Sequence, residues 1–230
     1  MPEKNPWLLP VAIIAAGALI GIAIFVIRAG TAPAGPASDI GALRPVSTED
    51  HIVGNPDANV VIVEYSDIDC EYCKDFREAL EELMADYGPD GGVAWVYRHF
   101  PVTQAHPNAE QHAEAAECVA SLAGNDAFFR FIDALNQSAP GSQEFDPKGY
   151  DAVVSSLGIS ADSFDACMKA STFATRVGDD LRNGLQIGVN GTPYSIILVK
   201  GFAPIPVSGA LPYPALKKVV ETALAKASTE

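Results

Sequence analysis

The chain is poor in basic residues. Its 230 residues include only 15 lysines and arginines against 29 aspartates and glutamates, which gives a formal net charge of −14. Proteins that bind the phosphate backbone of nucleic acids need clustered Lys and Arg side chains. The composition therefore argues against a nucleic-acid-binding function, and an acidic surface of this kind mainly implies solubility.

Cysteine is also scarce, with four in the whole chain. Cys70 and Cys73 form a Cys-x-x-Cys motif, whereas Cys118 and Cys167 each stand alone. A structural zinc site built on such a motif usually needs a second close pair. Three of the four histidines are candidate ligands after the motif, but they do not have zinc-knuckle spacing relative to it: His99, His106 and His112. We therefore predict no metal site.

Only one uncharged run is long enough to suggest a membrane span. Trp7 to Ile27 is 21 residues without charge, and about 20 residues cross a bilayer as a helix. A cleaved signal peptide is the alternative, because Ala32-Pro-Ala34 resembles a cleavage site. The apolar run is longer than the ~7–15 residues of a signal peptide, and little positive charge precedes it. We predict a retained membrane anchor at residues 1–28.

Residues 29–46 are rich in Gly, Ala, Pro and Ser and predict a flexible linker. The positive charges on the two sides of the anchor are nearly balanced, so they barely decide its orientation. The cysteine chemistry favours a C-terminal part outside the cytoplasm. We therefore predict a single-pass membrane protein whose domain at residues 47–230 lies on the extracytoplasmic side.

Residues 47–230 predict an α/β domain. A β-rich run at Val60–Tyr65, helical periodicity from Cys70 to Tyr87 and a second strand at Val93–Phe100 form a βαβ unit, which implies parallel pairing with a right-handed crossover. Residues 105–187 predict a helical insert. Two strands and a closing helix follow the insert, at Tyr194–Val199, Ile205–Ser208 and Tyr213–Lys226. The fold class is a three-layer βαβ–ββα domain with an α-helical insertion.

The Cys-x-x-Cys motif lies where the first helix of this domain begins. Free backbone N–H groups and the helix dipole stabilise a thiolate there, so Cys70 is the candidate nucleophile. Cys73, one turn deeper, is the candidate resolving thiol. Glu64 lies six residues before Cys70, in the buried strand, where desolvation would raise its pKa and allow it to take the Cys73 proton. A partly exposed Glu64 at the end of the strand is the alternative.

Four sequence strings resemble the DsbA-type thioredoxin-fold thiol oxidoreductases, in particular their membrane-anchored bacterial branch. They are His51-Ile-Val-Gly-Asn-Pro-Asp57, Val60–Cys73, Tyr97-Arg-His-Phe-Pro101 and Gly188-Val-Asn-Gly-Thr-Pro193, and the similarity covers about residues 47–226. The helical insert also fits that family. The resemblance implies an enzyme that exchanges disulfides with exported, cysteine-containing polypeptides. Its redox group would be the Cys70–Cys73 disulfide, without another cofactor, and an oxidase would need a membrane redox partner.

Residue by residue, the resemblance implies that Cys70 attacks, Cys73 resolves and Glu64 is the buried acid of the site. Thr192 and Pro193 match the family's cis-proline loop, which faces the disulfide and pairs with an extended client. From the sequence alone, an ordinary trans proline at the start of a strand would be the preferred interpretation.

The residues between the cysteines depart from the family's pattern. Oxidising members commonly have Pro and His there, whereas this chain has Glu71 and Tyr72, which we include among the client-facing residues. A negative Glu71 should raise the Cys70 pKa and weaken the oxidant. Asp67 and Asp69 act in the same direction, unless Asp69 caps the helix and faces outward. A dithiol oxidase is the leading function; a disulfide isomerase or reductase, or a non-catalytic thioredoxin-like binding module, is the alternative.

The two remaining cysteines lie in the insert. Their even number and an oxidising compartment suggest a structural disulfide between Cys118 and Cys167, whereas two buried free cysteines are the alternative. Some relatives carry a second disulfide in the insert, and this resemblance favours pairing. His99 and His106 flank Pro101 near the expected active face, and we interpret them as structural or solvated. The aromatic side chains of the insert predict core packing: Phe128, Phe129 and Phe131.

Overall fold

In the computed structural model of the chain, the described residues are 39–228. The predicted membrane anchor lies outside this range, as does part of the predicted linker. Within residues 39–228, no helix combines the length and the apolar character that a membrane span requires.

The described residues form five strands and seven α-helices. The strands are β1 (His51–Gly54), β2 (Val60–Ser66), β3 (Val93–His99), β4 (Tyr194–Val199) and β5 (Ile205–Ser208). The helices are α1 (Glu71–Tyr87), α2 (Ala109–Ala123), α3 (Asn125–Ser138), α4 (Tyr150–Ser156), α5 (Ala161–Lys169), α6 (Ala174–Gln186) and α7 (Tyr213–Ala227). Two single turns of 3₁₀ helix, at Ile40–Ala42 and Pro147–Gly149, complete the set.

The strands form one mixed sheet in the order β1-β3-β2-β4-β5. β2 and β3 are parallel, and the other three neighbouring pairs are antiparallel. The predicted βαβ unit and the two predicted strands after the insert are therefore confirmed, and those two strands pair as a β-hairpin. The edge strand β1 was not predicted, because its four residues include only two large apolar side chains, Ile52 and Val53, and turn residues follow immediately.

Helices cover both faces of the sheet, which explains why every residue of β2 is buried. Alternate side chains of a strand point to opposite faces. Val60 and Ile62 therefore join the larger core beneath α1 and α7, whereas Val61, Val63 and Tyr65 join a second core against the α6 side. Glu64 shares the face of Ile62, so it points toward α1 rather than toward α6.

The aromatic side chains of the insert are part of the larger core. Phe128, Phe129 and Phe131 are buried, which confirms their prediction as core residues. Cys118 in α2 and Cys167 in α5 are joined by a disulfide, with a Cα–Cα distance of 5.9 Å. The bond ties the first helix of the insert to a later one.

We expect the Cys118→Ala/Cys167→Ala variant to lose about 2–4 kcal/mol of unfolding free energy, because the bond closes a long loop in the unfolded chain. Urea unfolding measures the loss as a lower midpoint. The Cys70→Ala/Cys73→Ala variant is the matched control, since that pair closes a loop of only two intervening residues. Equal midpoints for the two double variants would contradict a stabilising role.

Candidate active site

The loop between β2 and α1 places Cys70 at the N-terminus of the catalytic helix. Cys70 is the N-cap residue, and its side chain does not cap the helix. Asp67 shapes the loop: its Oδ1 accepts a hydrogen bond from the Asp69 backbone N–H at 2.9 Å, and its backbone carbonyl accepts one from Cys70 N–H at 3.2 Å. The sulfur of Cys70 is thus left next to unpaired N–H groups of the first helical turn.

Cys70 is a thiol with an acidic pKa. A hydrogen bond from the Cys73 thiol is the largest influence that lowers it, and the backbone N–H groups of Tyr72 and Cys73 act in the same direction. Partial burial opposes them, and the result is a pKa of about 6, against an ordinary value of 9.0. The effect that we expected of Glu71 therefore does not dominate, because these donors outweigh it. Cys70 is largely ionised at neutral pH.

Cys73 has the opposite character. Its side chain is 4% exposed. Burial raises the pKa of its thiol well above the ordinary value, and the negative charges of Cys70 and Glu64 add to the rise. Both cysteines are free thiols in the structure. The Cys70 sulfur therefore has the lowered pKa of a nucleophile, whereas the neighbouring Cys73 sulfur stays protonated.

Glu64 is buried, with 1% exposure, rather than partly exposed. Its Oε2 accepts a hydrogen bond from Trp95 Nε1 at 2.9 Å, which favours the charged form, but desolvation is the largest effect and raises its pKa to about 7. A carboxyl group with that pKa can both take and give a proton near neutrality. Its negative charge raises the Cys73 pKa, so the two groups interact directly.

The Thr192–Pro193 loop faces the catalytic thiol. The Thr192–Pro193 peptide bond is cis, and the Cys70 Sγ lies 3.6 Å from the Thr192 carbonyl oxygen. Tyr72 is 65% exposed beside the motif, and Glu71 is also exposed. The structure thus brings together all the residues to which the sequence assigned catalytic or client-facing roles.

Two aspartate–histidine pairs lie beside the motif, one buried and one partly exposed at His106, and sequence reasoning missed both. Asp67 Oδ2 lies 2.9 Å from His106 Nδ1, and Asp69 Oδ2 lies 2.8 Å from His112 Nδ1. Asp69 is 2% exposed and the N-cap residue is Cys70, so the alternative in which Asp69 caps the helix and faces outward is wrong. His112 provides a partner for the buried Asp69 carboxylate, whereas Asp67 also accepts hydrogen bonds from the backbone N–H groups of Asp69 and Val102.

Lys74 connects the catalytic helix to the insert. Its Nζ donates to the carbonyl oxygens of Ala139, Gly141 and Gln143, at 2.6, 3.1 and 2.7 Å. A buried lysine that donates three such bonds holds the loop after α3 against the first turn of α1. No sequence pattern predicts this contact, because Lys74 binds backbone atoms that lie more than 60 residues away in the chain.

His99 belongs to a different cluster. Its Nε2 lies 3.1 Å from Glu117 Oε1, and that oxygen also contacts His51 Nε2 at 2.9 Å and Arg176 Nε at 2.6 Å. The interpretation of His99 as structural fits this buried group. Within residues 39–228, no set of three or more His, Cys, Asp or Glu side chains is arranged to hold a metal ion.

We expect alkylation of Cys70 by iodoacetamide to follow a titration with its midpoint near pH 6, because only the thiolate reacts. Below the midpoint the rate falls as the thiol becomes protonated. Cys73 stays unmodified at neutral pH because its pKa is raised. In Cys73→Ala the midpoint should move upward, since the largest stabilising hydrogen bond is lost. Mass spectrometry measures both, and a midpoint near the ordinary value of 9.0 in the native protein would contradict the assignment.

Comparisons with known proteins agree with this geometry. The family model described as Thioredoxin matches residues 46–206. The chain resembles the crystal structures of alpha-DsbA1 from Wolbachia pipientis (TM-score 0.64, 19% identity, 80% of this chain and 95% of that one) and BdbD from Bacillus subtilis (TM-score 0.66, 22% identity, 79% and 96%). At these identities the similarity concerns the fold, and the predicted DsbA-like thioredoxin fold is confirmed.

One curated relative is named as an antiporter rather than as an oxidoreductase. The Na(+)/H(+) antiporter NhaA 1 of Mycolicibacterium gilvum is 34% identical over 175 residues, which are 76% of this chain and 27% of the relative. The chain spans about a quarter of the length of the curated relatives that it matches.

Proposed function

Because the chain belongs to the thioredoxin family, we propose that it is a protein thiol-disulfide oxidoreductase that works through Cys70 and Cys73. One observation carries the proposal: two adjacent thiols have pKa values shifted in opposite directions, beside a buried carboxyl group whose pKa is about 7. A disulfide or thiol pair with only a structural role does not require this arrangement.

The exchange has two steps when the protein acts as an oxidant. A client thiolate attacks Cys70 Sγ of the Cys70–Cys73 disulfide, and Cys73 leaves as a thiolate that takes a proton from Glu64. The second client thiolate then attacks the client sulfur of the mixed disulfide, and Cys70 leaves as a stabilised thiolate. The client gains a disulfide and the protein keeps both electrons as a dithiol. The backbone of Thr192 is positioned to pair with an extended client segment.

The finer proposal is that the protein oxidises its clients. A thiolate with a pKa of about 6 stabilises the reduced pair, and a stabilised reduced form makes the corresponding disulfide a stronger oxidant. Glu71 in the motif and the nearby Asp67 and Asp69 disfavour the thiolate, so we propose that the protein is a moderate oxidant. Redox chemistry of this kind needs no cofactor beyond the dithiol itself.

We further propose that the domain works outside the cytoplasm, tethered by its N-terminal apolar segment. The Cys118–Cys167 disulfide supports this location, because structural disulfides persist mainly in oxidising compartments. The clients would be exported polypeptides with cysteines, and a membrane protein would reoxidise the dithiol.

Two assays with the purified protein test the function. The oxidised protein should form disulfides in reduced ribonuclease A, and the reduced protein should reduce insulin more slowly. The Cys70→Ser/Cys73→Ser variant supplies the background rate. Background rates in both assays would reject the enzyme function. Insulin reduction that is faster than ribonuclease oxidation would instead indicate a reductase.

A further inference from the structure

The nucleophilic cysteine lies among three acidic side chains. Asp67 and Asp69 shortly precede Cys70 in the chain, and Glu71 follows it directly. Negative charge close to a thiol disfavours its thiolate. The pKa of Cys70 is nevertheless lowered to about 6. A positive charge beside one of these carboxylates would offset part of their effect, and two histidines contact them.

The Asp67 carboxylate is buried in the active-site loop, where three groups bind it. Its side chain is 0% exposed. Its Oδ1 accepts a hydrogen bond from the Asp69 backbone N–H at 2.9 Å. Its Oδ2 accepts one from the Val102 backbone N–H at 2.7 Å and lies 2.9 Å from His106 Nδ1. Of these three partners, only His106 can carry a positive charge.

The histidines that contact the two aspartates differ in their access to solvent. His112, the partner of Asp69, is 0% exposed and lies among aromatic rings of the insert. The side chain of His106 is 22% exposed. A partly exposed imidazole exchanges protons with solvent near neutral pH, whereas burial disfavours the charged form of an enclosed ring. His106 is therefore the histidine whose charge can follow the state of the nucleophile.

We propose that His106 is a positioning residue for disulfide exchange, whose imidazolium offsets the Asp67 carboxylate and thereby stabilises the Cys70 thiolate. It acts through Asp67, whose backbone carbonyl also accepts the hydrogen bond of the Cys70 N–H group at 3.2 Å. This inference rests on the proposed function and adds to it a residue of the insert that keeps the nucleophile ionised. The sequence suggested only a structural or solvated role for His106.

The coupling between His106 and Cys70 acts in both directions. Burial lowers the pKa of His106, but the hydrogen bond and the charge of Asp67 raise it more, and the negative charges of Cys70 and Asp69 add to the rise. These charged groups all belong to the loop after β2 and the start of α1. Since the thiolate favours the imidazolium, the imidazolium favours the thiolate by the same free energy.

The redox chemistry should follow the charge of His106. A stabilised thiolate stabilises the dithiol relative to the disulfide, and the disulfide becomes a stronger oxidant. The imidazolium makes this contribution while it is protonated. Because the pKa of His106 is raised from 6.5, the contribution is present at pH 6 and is lost as the pH rises through the raised value.

Two substitutions of His106 separate its charge from its structural role. Glutamine keeps an N–H donor for Asp67 and removes the charge, whereas lysine keeps the charge and removes the ring. We expect the alkylation midpoint of Cys70 to rise by about 0.5 pH unit in His106→Gln and to stay near the native value in His106→Lys. The equilibrium constant for oxidation of glutathione by the Cys70–Cys73 disulfide at pH 7 should fall about twofold in His106→Gln.

Gln104→Lys is the matched control, because it adds a charge at an exposed position of the same loop without a contact to Asp67. It should leave the alkylation midpoint of Cys70 at the native value. A shift as large as that in His106→Gln would show that any charge on this loop acts on Cys70, and would overturn the role of His106. A native midpoint in His106→Gln, or equal shifts in His106→Gln and His106→Lys, would overturn it as well.

The titration of His106 in the native protein tests the coupling from the other side. Nuclear magnetic resonance of the imidazole, assigned by the signal that is lost in His106→Gln, measures its pKa in the dithiol and in the disulfide form. We expect a pKa lower by about 0.5 unit in the disulfide form, because oxidation removes the Cys70 charge. Equal values in the two forms would overturn the proposal. These titrations need no client, so a coupled pair in a protein without exchange activity would reject the proposed function alone.

Discussion

The Cys73→Ala protein should accumulate a stable mixed disulfide with a client peptide, whereas the Cys70→Ala protein should form none. Each variant should lose roughly 10³-fold or more of the dithiol exchange rate. The reason is the division of roles between the two sulfurs. Cys70 carries the lowered pKa and lies next to the Thr192 carbonyl, whereas Cys73 is buried and protonated.

Incubation with a peptide that carries an activated disulfide, followed by non-reducing electrophoresis and mass spectrometry, measures this difference. The Cys118→Ala/Cys167→Ala variant is the control for loss of a cysteine pair as such, and it should exchange at the native rate. Mixed disulfides of equal yield in the two single variants would contradict the assignment of attacking and resolving thiols.

The Glu64→Gln variant should be more stable than the native protein above pH 7 and slower in exchange. The carboxyl group has a pKa of about 7 in the folded protein, against an ordinary 4.5. Between these values the folded state holds a proton that the unfolded state has lost, so stability falls as pH rises through this window. Above a pH of about 7 the buried carboxylate lowers the unfolding free energy by about 3 kcal/mol, since each pKa unit corresponds to roughly 1.4 kcal/mol.

Glutamine removes that cost and keeps an oxygen that accepts the Trp95 hydrogen bond. Urea unfolding should therefore show a gain of about 3 kcal/mol at pH 8 and little change near pH 4.5. The same variant should resolve mixed disulfides roughly 10²-fold more slowly, because the proton acceptor is gone. Glu82→Gln, at an exposed position of α1, is the control. A lower unfolding free energy of Glu64→Gln at pH 8 would contradict a buried Glu64 carboxyl group with a raised pKa.

The catalytic pair and the acid could be predicted because their signals are local. Cys70, Cys73 and Glu64 lie on consecutive elements. The change from strand to helix periodicity indicates that these elements bring the three residues close together. Thr192 and Pro193 lie more than 100 residues away, and only the resemblance to a known family connected them to it. The short edge strand β1 was missed because its stability comes from pairing with β3 and not from its own sequence.

The residues that tune the site could not be found in this way. Asp69 meets His112 across 43 residues, and Arg77 meets Asp133 across 56 residues. Such contacts depend on how the insert packs against α1, which no periodicity reveals. A buried charged side chain with a distant partner also looks, in sequence, like any charge on the exposed face of a helix.

The redox potential of the Cys70–Cys73 pair tests the central claim most directly. Equilibration with glutathione buffers, read by mass spectrometry after thiol alkylation, measures it. We predict a reversible two-electron couple with a potential between about −120 and −200 mV, in the range of DsbA and protein disulfide isomerase. A potential near the roughly −270 mV of thioredoxin would contradict an oxidase, and a pair that does not exchange with glutathione would contradict the redox site itself.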